Sequence, residues 1–145
     1  MAEWVTPVYD RTQADVDYAR QQLAQRINTM DYKGCFNTTD INRIEDNARY
    51  LADLLISLYY FNNVSTSNWD RESIPYQEHI DRIINNISEM WERWGRPSDA
   101  EDLPVSLLNH EQVNNIEKNL FLLKEMLDDM VSSFRECDTF ECGEE

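Results

Sequence analysis

The chain has 145 residues, 41% of them apolar and 11% aromatic, and a formal net charge of −15. That length and composition suit one globular domain with a real core rather than a disordered chain. An acidic surface repels nucleic-acid backbone and anionic lipid, so neither direct nucleic-acid binding nor membrane binding is expected, although an acidic protein can imitate nucleic acid.

Residues 1–11 read as an extended arm. Pro7 holds Thr6 out of helical geometry. Trp4, Val8 and Tyr9 are apolar, so the arm is expected to lie on something, either its own bundle or a neighbour. Trp4, Pro7 and Tyr9 are the candidate docking residues here, because a large aromatic on a short arm makes an effective anchor. If Trp4 serves assembly, Trp4→Ala should spare the helical melt and abolish the oligomer. Met1-Ala2-Glu3-Trp4 has neither the basic start nor the apolar run of a signal peptide. The longest apolar run, 54–61, is interrupted by Ser57 and falls well short of the ~20 residues of a membrane span. A cytosolic origin without signal-peptide export is therefore expected.

The first helix is expected over about 12–30. Thr12-x-x-Asp15 matches a capping box. Its stripe of Val16, Ala19, Leu23, Ile27 and Met30 is thin, which places it at the periphery. A connection holding Gly34, Cys35 and Phe36 follows, with Thr38 and Thr39 as the expected caps of the next helix. That second helix is expected over about 40–61. Ile41, Ile44, Ala48, Leu51, Leu55 and Leu58 step by three and four along it, which is a full heptad seam. Tyr50, Leu54, Tyr59, Tyr60 and Phe61 widen its apolar surface beyond one stripe, so it is either central or also covered by a neighbour.

A polar loop over 62–73 contains Trp69, read as a lid on the core, with a docking role as the other reading. The third helix is expected over about 74–94, with Pro75 tolerated in its first turn and Gly95 and Pro97 ending it. The linker that follows is acidic and broken by prolines, with Val105, Leu107 and Leu108 expected to touch the core. The fourth helix is expected over about 109–134. Asn109-x-x-Gln112 is its capping box, and Val113, Ile116, Leu120, Leu123, Leu127, Met130 and Phe134 form a second heptad seam. The second and fourth helices are thus the natural central pair. The tail, 135–145, holds Phe140 as a further docking candidate. With few glycines and prolines to break it, the chain is expected to be all-α: a four-helix bundle-like single domain with the arm at one end and the short tail at the other.

One pattern recurs along this frame. Ile41-Asn42-Arg43-Ile44-Glu45-Asp46-Asn47 returns in weaker form as Ile80-Asp81-Arg82-Ile83-Ile84-Asn85-Asn86, and again as Val113-Asn114-Asn115-Ile116-Glu117-Lys118-Asn119. In the first and third copies Asn42, Ile44, Glu45 and Asn47 match Asn114, Ile116, Glu117 and Asn119, and Leu51 and Leu55 match Leu123 and Leu127. The apolar pairs fall on one helical face. The polar residues beside them are expected to bond nearby loop backbone and set helix register. The competing role is a polar rim at a subunit contact.

No chemistry emerges from the remaining motifs. Glu78-His79 and His110-Glu111 are adjacent pairs, so they lack the Glu-x-x-His spacing of a di-metal bundle. Neither histidine has a nucleophile context, and there is no phosphate-binding glycine loop. Cys35, Cys137 and Cys142 form neither a disulfide framework nor, with His79 or His110, a zinc spacing. No enzyme activity, cofactor or metal is expected.

Several motifs together resemble a group of small phage and prophage virion proteins of Gram-positive bacteria. The matching pieces are Trp4-Val5-Thr6-Pro7, Phe36-Asn37, and the helices over 40–51 and 113–123. The ending Cys137-Asp138-Thr139-Phe140-Glu141-Cys142-Gly143 is similar to a Cys-Gly-Thr-Phe-x-Cys-Gly end, with Asp138 where that pattern has Gly. The resemblance covers about half the chain, in pieces. It implies a non-enzymatic virion structural protein, tail-associated and synthesised in the host cytoplasm. With the wide surface of the second helix and the arm at Trp4, it points to a symmetric homo-oligomer that docks on other particle proteins, the arm or tail crossing to a neighbour. The alternative is an acidic mobile-element inhibitor that mimics nucleic acid and blocks a host defence protein.

Overall fold

The computed structural model describes residues 3–26, 32–35, 37–57, 65–70, 76–107 and 109–139, the side chains of 134–139 excepted. Four helices account for its regular structure: α1 (Gln13–Ala24), α2 (Thr38–Ser57), α3 (Gln77–Arg93) and α4 (His110–Thr139). No strand occurs among the described residues, so the domain is all-α as the heptad seams require.

The helix starts follow local capping chemistry. Thr12 accepts from the Asp15 N–H while Asp15 accepts from the Thr12 N–H, closing the expected box. Asn109 and Gln112 do the same ahead of α4, at 2.9 and 3.2 Å. For α2 the expected caps, Thr38 and Thr39, are instead its first two residues, and the cap is Asn37. Its Oδ1 accepts from Asp40 N–H at 3.2 Å and Asp40 Oδ2 accepts from Asn37 N–H at 3.1 Å. Asn caps better than Thr, and an acid three residues on completes the reciprocal pair. At α3 the His79 Nδ1 accepts from the Tyr76 N–H at 2.9 Å. The expected start at 74 lies outside the described residues.

Two helix ends differ from expectation. The first helix stops at Ala24, short of residue 30, because Arg26 adopts φ +62 and a left-handed residue cannot continue the helix. Ile27 and Met30 lie outside the described residues, as do Leu58, Tyr59, Tyr60, Phe61 and Leu108. The fourth helix runs on through Thr139, so the segment expected as tail begins as helix. Neither glycine nor proline interrupts it before Gly143, and Arg135 and Glu136 are good helix formers. Phe140 and the residues after it lie outside the described part.

The core is shared by three helices. Ile41, Ile44, Ala48, Leu51, Ala52 and Leu55 of α2 meet Val113, Ile116, Leu120, Leu123 and Leu127 of α4, with Ile80, Ile83, Ile87 and Met90 of α3 and Leu107 of the linker. Helix α2 packs against both α4 and α3, so the central pair read from the seams is joined by a third member. Each fully buried Leu or Ile here contributes roughly 1.5–3 kcal/mol by leaving water. Val105, expected to touch the core, is 80% exposed.

Helix α1 stays outside this core. Of the described residues of its expected stripe, only Ala19 is buried, Val16 is half-buried and Leu23 is exposed. What holds it is close backbone approach: a Cβ at Gly34 would overlap the Asp15 carbonyl and the Val16 nitrogen. Gly34→Ala is therefore expected to lift α1 from the loop without unfolding the core. Hydrogen exchange should show the amides of α1 losing protection while those of α2 and α4 keep theirs; unchanged α1 protection would mean the loop yields instead.

Candidate functional site

The repeated Asn and Glu residues flank the apolar seam, and their partners include the backbone of segments outside the helices. In an extended chain the N–H and C=O of one residue point to the same edge. An Asn amide, with one acceptor and a two-proton donor, matches that edge as a neighbouring strand would. Asn47 accepts from the Val5 N–H at 2.9 Å and donates to the Val5 C=O at 2.8 Å. Asn42 does so with Trp69, both bonds 2.8 Å. Asn114 does so with Arg11, at 3.2 and 2.9 Å.

The glutamates secure the same segments and tie the helices together. Glu45 accepts from the Ser67 N–H at 3.0 Å, from the Trp69 Nε1–H at 2.5 Å, and from Arg82 of α3. Glu117 accepts from the Val8 N–H at 3.1 Å and from Arg43 of α2 at 2.5 and 2.9 Å. Arg82 stands in its repeat where Arg43 stands in the first. Each arginine thus reaches the glutamate of another copy, which fixes helix register.

The seam between α2 and α4 is the most heavily charged. Arg11 of the arm lies 2.9 Å from both Asp40 and Glu117, and Arg43 lies 2.6 Å from Asp40. Arg11 also donates to the carbonyls of Val8 at 2.6 Å and Lys33 at 3.1 Å. Burial works against the Arg43 charge, but its hydrogen bonds and attraction to Glu117, and then to Asp40, outweigh that and raise its pKa. Three guanidinium groups (Arg11, Arg43, Arg82) meet three carboxylates (Asp40, Glu45, Glu117), so the network cancels itself. The net charge of −15 therefore belongs to the rest of the molecule.

The last position of each repeat completes the geometry. Asn47, Asn86 and Asn119 donate to the carbonyls of Val5, Ser65 and Glu101, at 2.8, 2.9 and 3.4 Å. Three non-helical segments thus act as straps along the bundle. The arm is bonded to α4 and α2, the segment at 65–69 to α2 and α3, and the segment at 101–105 to α4 and, through Gln77 and the Val105 C=O, to α3. The third strap is the least complete, since the buried Oδ1 of Asn119 has no partner.

The docking candidates among the described residues, Trp4, Pro7, Tyr9 and Trp69, all pack within the chain. Trp4 packs against Tyr50, ring centroids 5.7 Å apart and planes tilted by 54°, with Lys124 over its ring at 5.5 Å. Pro7 is buried. Tyr9 lies 5.4 Å from Phe121 and keeps 39% exposure. Trp69 is half-buried against the core and meets His79 edge-on at 5.1 Å. Part of the wide surface of α2 is thereby covered, Tyr50 by Trp4. The expectation that Trp4→Ala spares the melt changes accordingly. That substitution removes a ring packed on the domain's own core and should lower the melting temperature by several degrees; an unchanged melt would mean the arm does not bear on the bundle in solution.

Sequence reasoning missed Arg11, Asp40, Arg43 and Arg82 as members of the network. Arg43 and Arg82 had a signal, their shared register in the repeat. Asp40 had one too, three residues before Arg43 on the same helix, whereas Arg11 had none, since it acts across the fold. Among the described residues no group of three His, Cys, Asp or Glu side chains is placed to hold a metal ion. Cys35 is a free, half-buried thiol whose pKa is raised by burial and by the Asp40 charge. It shares a cleft of about 410 Å³ with Arg20 and His110, and no hydrogen bond joins thiol to imidazole. What the arrangement performs is the holding of extended peptide by side-chain amides and carboxylates. Comparison with protein-family models, curated proteins and solved structures returned no match to this chain.

Proposed function

We propose that this protein is a non-enzymatic structural component of a phage particle, tail-associated, which works by self-association and by docking on other particle proteins. The observation that supports this best is how the motif residues of the resemblance are used. Trp4, Pro7, Asn42, Glu45, Asn47, Asn114, Glu117 and Asn119 all serve one device, in which helices grip extended straps. Side chains committed to gripping backbone suit a part whose work is assembly. The test is mass spectrometry on purified, DNase-treated particles induced from the source strain. Stoichiometric peptides from this chain are the expected result, with the copy number identifying the component. Absence from particles, with abundance in the infected lysate, would overturn it.

That second outcome would favour an acidic inhibitor that imitates nucleic acid. Its supporting observation is that the buried ion network is neutral, so the acidic excess is free to face a basic groove. Such binding should weaken steeply as salt rises.

A further inference from the structure

The arm is the strap with the richest set of bonds and the weakest covalent anchorage. Its chain leads to the core through α1, which buries only Ala19 among its described residues. The straps at 65–69 and 101–105 instead run between two core helices each. Without the arm, the α2–α4 groove holds the carboxylates of Asp40 and Glu117 against the single guanidinium of Arg43, and the amides of Asn47 and Asn114 lose their partners. The missing occupant is closely specified. It must be extended, bring a cation to Asp40 and Glu117, place a small apolar residue where Pro7 is buried, and set an aromatic ring on Tyr50.

We propose that this groove accepts the arm of a second copy of the chain, so that copies associate by exchanging arms. The inference rests on the self-association reading above and names its surface. An arm arriving from a neighbour offers the same Val5, Val8 and Arg11 backbone groups and the same Arg11 charge. Exchange therefore loses none of the seam's bonds, which is why swapping of this kind is a low-cost route to oligomers. Helix α1 travels with the arm. The Tyr9 and Phe121 rings, 5.4 Å apart, then come from different chains.

The test uses full-length chains in which Cys35, Cys137 and Cys142 are changed to serine. One carries Tyr9→Cys and another Phe121→Cys, and neither substitution touches the ion network. The two are unfolded together, refolded at high concentration and treated with a short bifunctional thiol reagent. A mixed adduct at least several-fold above either variant alone is expected. Light scattering on the same samples separates the two ideas. A stable oligomer without mixed adduct overturns arm exchange and leaves self-association standing, and a single-chain mass overturns both. Circular dichroism confirms the helical fold of each variant. A second pair, Trp4→Cys with Lys124→Cys, across the 5.5 Å contact, repeats the measurement if the first pair folds poorly.

Discussion

Glu117→Ala is expected to cost about 3–5 kcal/mol, the range for removing one partner of a buried ion pair. Glu117 is fully buried, and its two oxygens receive both Arg11 and Arg43 as well as the Val8 N–H. Without it, two buried guanidiniums share Asp40 as their one carboxylate, and the arm loses its central tether. Against a typical total of ~5–15 kcal/mol, that brings the domain close to unfolding. Urea titration reads the loss directly. A change under about 1 kcal/mol would mean the network is wet and worth no more than a surface pair. Glu117→Gln should cost less, since it keeps the volume and one acceptor. The network should not weaken in mild alkali through Arg43. Its folded pKa is raised above the ordinary arginine value, so the stability it contributes is fully present below that value and is lost only as pH rises beyond it.

Leu123→Asp is expected to abolish the fold. Leu123 is fully buried in the core cluster, at the centre of the seam shared by α2, α3 and α4. Truncation alone costs about 2–5 kcal/mol, and an unpaired carboxylate in that place adds several more. The informative control is Leu23→Asp, on α1, where the side chain is 44% exposed. That change should stay within about 0.5 kcal/mol. A helical, cooperative Leu123→Asp variant would mean the seam is misplaced. Far-UV circular dichroism through a thermal melt distinguishes the two leucines.

The sequence by itself determined the elements that local chemistry controls. The seams of α2 and α4 were legible because apolar side chains three and four apart share a face whatever surrounds them. The boxes Thr12-x-x-Asp15 and Asn109-x-x-Gln112 were legible because cap and partner lie three residues apart. The cap at Asn37 was equally local, yet two threonines ahead of Asp40 drew the assignment away from it.

Only the tertiary structure decided what the polar residues of the repeat hold. The Val8 N–H reaches Glu117 across 109 residues of sequence, and the Arg11 backbone reaches Asn114 across 103. Periodicity reports that a face is polar or apolar and says nothing about which distant segment covers it. For the same reason the sequence left the arm free to lie on its own bundle or a neighbour, and it could not place Arg11 between Asp40 and Glu117. The pairing of an amide with one residue of extended backbone needs no particular side chain on that residue. It therefore leaves no trace in the strap's own sequence, and folding alone brings the two together.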